Sequence, residues 1–260
     1  MIHRRDAIRV IGAGAVAARL RAEDWPLRFT ALDHVETSVH DSAKTAAFYA
    51  RAFGGPGWKN NKTERRYVRL GPAYIAIEQG EPFGVDHFSV GIADYQIADI
   101  HRFLETRGIA YRDYPSGKDL NVTDPDGMRL QLSADNTWGP LSVNTASPEK
   151  GTFNGDSIFQ PTGIDHILLN VSDVERSVGF YEKILGPVSQ GNGFRVGRSR
   201  IGLMQSAKPG VYRIGVSAKT YQYGGAIITL AAMGATTQKP ETPNVAEFLD
   251  PDGLRIQVID

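Results

Sequence analysis

The stretch Asp124-Pro125-Asp126-Gly127-Met128-Arg129-Leu130-Gln131 returns near the end of the chain as Asp250-Pro251-Asp252-Gly253-Leu254-Arg255-Ile256-Gln257, 126 residues later. Asp-Pro-Asp-Gly is turn chemistry, with proline fixing one φ and glycine free to take a positive one, and the alternating residues after it read as a strand. Working back from each copy, Leu32-Asp33-His34-Val35 with Phe48-Tyr49 recurs as Ile164-Asp165-His166-Ile167 with Phe180-Tyr181, at an offset of 132. Between these blocks, Val85-Asp86-His87-Phe88 aligns with Val211-Tyr212-Arg213-Ile214, again at 126, so the six-residue difference is an ordinary loop deletion. Three matching blocks in the same order imply a duplicated domain.

The repeats divide the chain into residues 28–136 and 160–260. Residues 137–159, rich in Ser, Thr, Gly, Pro and Asn without an apolar period, have the composition of a linker. Within the first repeat, residues 31–39 alternate as a strand, and Asp41 or Ser42 caps a helix over 43–53 that Gly54-Gly55 closes. Strands follow at 65–70 and 73–79. A second strand–helix–strands unit comprises 86–92, 95–107, 119–123 and 128–133. The fold class is therefore α+β, two tandem domains each built from two such units.

Composition excludes several functions. The 29 basic and 29 acidic residues cancel, so no global field draws the chain to nucleic acid or acidic membranes, and a small-molecule substrate is the expected partner. With no cysteine, disulfides, thiolate metal sites and a cysteine nucleophile are ruled out. No Gly-rich phosphate loop joins a strand to a helix, and no Gly-x-Ser-x-Gly elbow occurs. Residues 1–27 form a leader: Arg4-Arg5 precede a moderately apolar run from Ala7 to Ala18, interrupted by Arg9, and then Ala22-Glu23-Asp24. This outline resembles a twin-arginine export signal, and the alternative is a cytoplasmic amphipathic leader. The run is too short to span a bilayer.

The order of elements, opening on x-Asp-His-apolar and ending in Asp-Pro-Asp-Gly-x-x-x-[Glu/Gln], is similar to the paired βαβββ modules of the vicinal oxygen chelate superfamily, the glyoxalase, bleomycin-resistance and extradiol-dioxygenase group. The resemblance covers about four fifths of the chain. It implies cupped mixed sheets with helices outside, and a divalent metal (Fe, Mn, Ni, Zn or Co) that chelates a substrate through neighbouring oxygens. Carried across by position, His34, His87 and Gln131 fall at ligand positions, Gln131 standing where the family usually has glutamate. A further ligand position on the last strand of the first module falls near Glu78.

Strand alternation supports this set independently. His34, Glu36 and Ser38 share one face of their strand, His87 and Ser89 another, Arg129, Gln131 and Ser133 a third, and Tyr74 and Glu78 a fourth, each opposite an apolar face. Any half-exposed sheet alternates in this way, and a single histidine on such a face is ordinarily surface. Here both histidines fall on the face that also carries Gln131. Two imidazoles and one oxygen leave positions open for water or substrate. Glutamine supplies only a neutral dipole, which weakens metal binding and favours redox-neutral Lewis acid chemistry, while Glu36 or Glu78 could restore a carboxylate or serve as general base.

In the second repeat Arg213 occupies the middle ligand position, and a guanidinium cannot coordinate a cation. That half is expected to lack a metal and to shape a ligand pocket, with Arg213 joining Tyr74 and Arg129 as substrate-binding candidates. The expected function is a metal-dependent enzyme of lyase, isomerase or ring-cleaving type; the alternative is a metal-free binding protein of the bleomycin-resistance kind. Either a monomer or a homodimer fits the duplication.

Overall fold

The computed structural model describes residues 25–135, 145–149, 155–239 and 242–260; the leader up to residue 24, and with it the expected export signal, lies outside the described residues. The first repeat runs β1 (Phe29–Val39), α1 (Ser42–Phe53), β2 (Trp58–Asn60), β3 (Arg66–Leu70) and β4 (Ala73–Gln79), then β5 (Gly84–Ile92), α2 (Ile97–Glu105), β6 (Tyr111–Asp113), β7 (Asp119–Thr123) and β8 (Arg129–Ala134). A short strand, β9 (Ala146–Pro148), follows. The second repeat runs β10 (Pro161–Val171), α3 (Val174–Leu185), β11 (Gly193–Val196) and β12 (Ser199–Gln205), then β13 (Gly210–Ala218), α4 (Tyr223–Ala232), β14 (Thr236–Thr237), β15 (Ala246–Leu249) and β16 (Arg255–Ile259). This is the duplicated α+β architecture that the repeats imply.

Local chemistry is repeated along with topology. Asp41 caps α1 by accepting from the amides of Ala43 and Lys44, Asp173 caps α3 by accepting from Arg176, and Gly54 and Gly186 end the two helices at positive φ. In the two Asp-Pro-Asp-Gly turns, Oδ1 of Asp124 accepts from the amides of Asp126 and Met128, and Oδ1 of Asp250 from those of Asp252 and Leu254. These bonds fix where β8 and β16 begin.

All strands belong to one mixed sheet. In the first repeat β1 lies between β4, parallel, and β5, antiparallel, and β5 pairs in parallel with β8; in the second, β10, β12, β13 and β16 repeat the pattern. The repeats join where β1 and β10 pair antiparallel at Leu32 and Ile164. The segment between the repeats is more than a tether: β9 pairs with β2, and Phe159 is fully buried. The outer face of each sheet carries the apolar set, with Val35, Phe88, Val90, Leu130 and Leu132 at 0% exposure beneath the helices. One continuous core runs through both repeats. The polar faces line two cups.

Candidate metal centre

The first cup is built by β1, β4, β5, β7 and β8. Its polar face is not solvated: His34, Glu36, His87 and Gln131 are all buried. They surround a cavity of about 460 Å³ that Arg65, Tyr67, Tyr74, Asp119 and Arg129 also line. A larger cavity of about 610 Å³, bounded by Tyr111, Arg112, Phe180 and Lys183, has no imidazole or carboxylate cluster of this kind among the described residues.

Antiparallel register sets Glu36 directly across from His87, and His34 across from Ser89. The two imidazoles then meet with Nε2 atoms 3.2 Å apart. Nδ1 of His34 lies 2.7 Å from Oδ2 of Asp33, and Nδ1 of His87 lies 2.8 Å from Oδ2 of Asp86. A carboxylate only accepts, so each Nδ1 carries a hydrogen and each ring turns its Nε2 toward the other. Burial, the largest influence, holds His87 below its ordinary pKa, which keeps a lone pair available. Two Nε2 atoms at this separation share either a hydrogen or a cation lying between them. Nitrogens bound at about 2.1 Å to one ion, at roughly a right angle, sit about 3 Å apart, so the spacing fits two neighbouring ligands of one divalent metal.

Oxygen donors are present. Glu36, Asp86 and His87 place ligand-type atoms within 4.8 Å of one another. Because Asp86 is engaged with Nδ1 of His87 and with Arg129, we assign it to orienting the imidazole rather than to the metal. Glu36 accepts from Nη2 of Arg65 at 2.9 Å through Oε1 and stands opposite His87 in the strand register. Gln131 also hydrogen-bonds to His87. Residues fit for a metal are therefore His34, His87 and Glu36, with Gln131 beside them.

Other candidates fall as follows. Glu78 pairs in register with Ser38, one step beyond Ala76, which stands opposite Glu36; its carboxylate is 2.6 Å from Nε of Arg65, and it does not line the cavity. Tyr74 stacks on His34 with centroids 4.6 Å apart, and burial raises its phenol well above the ordinary value, so it faces the cavity as a neutral ring. Arg129 lines the cavity next to Asp86, whereas Arg213 lies in the second cup. Asp119 was missed by sequence reasoning. It sits at the start of β7, burial raises its carboxyl, and its Oδ1 has no hydrogen-bond partner among the described residues. Because β7 pairs with β8 it belongs to the same cup, a placement that only pairing reveals.

Residues 163–258 match the family model "Glyoxalase/Bleomycin resistance protein/Dioxygenase superfamily". The second repeat is a domain of that superfamily. The matched segment is the second repeat, whose cup has an arginine where the first has His87. Among curated proteins, a catechol-2,3-dioxygenase of Bacillus subtilis is 24% identical over 188 residues, which span 60% of this chain and 65% of the relative. Solved structures share the fold across nearly the whole chain. A Mn(II)-bound glyoxalase from Novosphingobium aromaticivorans superposes with a TM-score of 0.65 at 16% identity, covering 89% of this chain and 82% of the other. A 2,3-dioxygenase from Pseudomonas sp. KL28 gives 0.64 at 16% identity, covering 87% and 90%.

Proposed function

We propose that this chain is a metal-dependent enzyme of the glyoxalase and ring-cleaving dioxygenase kind, acting on a small substrate through two neighbouring oxygens in the first cup. The observation that carries the reading is the pair of aspartate-oriented imidazoles whose Nε2 atoms converge at 3.2 Å. His34, His87 and Glu36 would hold the metal, which would supply Lewis acidity toward the substrate oxygens. The metals and substrates named for the relatives, Mn(II) and catechol, are the first candidates to test.

In this reading the chain's own groups do the positioning and the proton transfer. Arg129 and Tyr74 border the space in front of the imidazoles, one offering a cationic donor and the other an aromatic face. Arg65, bound to both Glu36 and Glu78, holds the Glu36 carboxylate in place. Asp119, raised by burial and with Oδ1 lacking a hydrogen-bond partner among the described residues, is suited to take a proton from a hydroxyl substrate and return it later. Gln131 offers a neutral amide oxygen beside the metal position, and Glu36 supplies the negative charge that a glutamate there would bring. The chain is read as two domains, residues 28–136 with this site and 160–260 without a metal.

The test is an assay of protein loaded with Fe(II) or Mn(II), with catechol as substrate, following oxygen uptake and ring-cleavage absorbance. Metal-dependent turnover or metal-dependent catechol binding, lost in His87→Ala, supports the reading. Catechol binding that persists unchanged after metal removal and in His87→Ala would refute it in favour of a metal-free binding protein.

A further inference from the structure

The second cup does not simply lack a metal site; its charge is inverted. The position of His87 is taken by Arg213, that of Tyr74 by Arg200, and that of Asn121 by Glu247, which lies 3.6 Å from Nη1 of Arg213 and 2.6 Å from Nη1 of Arg255. Strand β11 adds Arg195 directly across from Arg200. Like charges set opposite each other on neighbouring strands repel, and nothing in the fold requires this pair. Four arginines thus gather at one cup, with Asp165 and Glu247 among them.

Space is present as well. His166, Leu168, Arg195, Arg200, Gly202 and Arg213 line a cavity of about 460 Å³. Glycines make it: a Cβ on Gly215 would lie 2.2 Å from Cε1 of His166, and one on Gly202 3.0 Å from Leu168. In the first cup Ser89 and Ala76 stand at these positions, so there the imidazole cannot lie back in the same way.

His166 supplies the polarity. Its Nδ1 is 2.8 Å from Oδ2 of Asp165, which also accepts from Nη2 of Arg200 at 2.7 Å. The carboxylate fixes the hydrogen on Nδ1, leaving Nε2 as an acceptor, and this buried Nε2 has no hydrogen-bond partner among the described residues. A simple anion would satisfy the arginines and be repelled by that lone pair. A ligand carrying both an anionic group and a hydroxyl donor satisfies both.

We propose that the second cup is a binding site for a small hydroxycarboxylate, its carboxylate held by Arg213 and Arg200 and its hydroxyl donated to Nε2 of His166. The site is separate from the metal centre and does not depend on it. It gives the second repeat a recognition role with no ring of metal ligands.

Titration calorimetry of the full chain with 4-hydroxybenzoate, benzoate, phenol and inorganic phosphate tests the proposal. Saturable binding of 4-hydroxybenzoate is expected, tighter than that of benzoate, phenol or phosphate. Arg213→Gln and Arg200→Gln should each weaken it roughly tenfold or more, the loss expected for a hydrogen bond to a charged group. Arg200 lies at an exposed strand position, so its variant keeps the test valid if Arg213→Gln fails to fold. His166→Phe should remove the preference for 4-hydroxybenzoate over benzoate, and His34→Ala should bind as the parent does. No saturable binding of 4-hydroxybenzoate, equal or tighter binding of phosphate, or binding that survives Arg200→Gln and is lost in His34→Ala would overturn the proposal.

Discussion

Tyr49 on α1 donates its phenolic hydrogen to Oδ2 of Asp250, 2.6 Å away and 201 residues later, inside the Asp-Pro-Asp-Gly turn of the other repeat. The relationship is reciprocal. Tyr181 on α3 donates to Oδ2 of Asp124 at 2.9 Å, in the matching turn of the first repeat. Alongside, Asp252 accepts from His40 and Thr45, and Asp126 from Ser172 and Arg176. Both tyrosines are fully buried, and burial followed by the facing aspartate raises their phenols well above the ordinary value, so they remain donors. Each turn that launches a cup-lining strand is thereby pinned by the helix of the opposite repeat.

Tyr49→Phe should therefore cost stability in a pH-dependent way. Burial, the largest influence, pushes the Asp250 carboxyl above its ordinary value, against the pull of Tyr49 and two amides. A carboxyl raised on folding contributes stability that is present below its unfolded pKa of about 3.9 and lost as pH rises through the raised value. Removing the hydroxyl takes away a donor to the ionised form. Urea denaturation should show a loss of about 1–3 kcal/mol at pH 7 and a smaller loss at pH 4. An equal loss at both would contradict the assignment.

Two glycines mark a second reciprocal contact. Gly71, at φ 67°, has the backbone of Thr162 2.8 Å from where a Cβ would stand, and Gly197, at φ 57°, has the carbonyl oxygen of Thr30 at 2.0 Å. Each tight turn before β4 or β12 presses on the opening of the other repeat's first strand. Gly197→Ala combines a positive-φ penalty with a backbone clash and should destabilise by roughly 2–4 kcal/mol. An unchanged melting temperature would show that the repeats do not rest on this contact.

The repeat, the element order and the pairing of His34 with His87 were legible because alternation and turn chemistry are local properties of the chain. The observed β1, α1, β4, β5 and β8 begin and end within a few residues of the expected ones. Strands β2, β6 and β9 were not legible, being three residues each and too short for a period. Asp119 escaped notice because its membership of the cup is set by β7 pairing with β8, a contact the sequence does not write. Choosing between Glu36 and Glu78 likewise required the register of β1 on β4, which puts Glu78 a step too far along.

That register separates the two glutamates experimentally. Glu36→Gln should weaken divalent metal binding by roughly 10- to 100-fold, while Glu78→Gln changes it little, since Glu78 acts only through Arg65. Gln131→Glu should tighten it by restoring a negative charge. Mn(II) titration followed by electron paramagnetic resonance reads all three, and a larger loss in Glu78→Gln than in Glu36→Gln would reverse the assignment.

Asp119→Asn should leave metal content unchanged and lower turnover by about 100-fold or more, the range for losing a positioned acid–base group. Burial raises this carboxyl, so the acid limb of the parent's pH–rate profile should lie above the ordinary carboxylate range and vanish in the variant. A profile with the same limb in both proteins would remove Asp119 from the chemistry.

His34 and His87 are proposed to close on a metal. Metal analysis of protein purified without chelator, and after incubation with Mn, Fe, Co, Ni or Zn, tests it most directly. About one divalent ion per chain is expected in the parent protein, lost in both His34→Ala and His87→Ala, as for a site with few protein ligands. A parent protein that takes up none of these metals, or histidine variants that retain full occupancy, would contradict it.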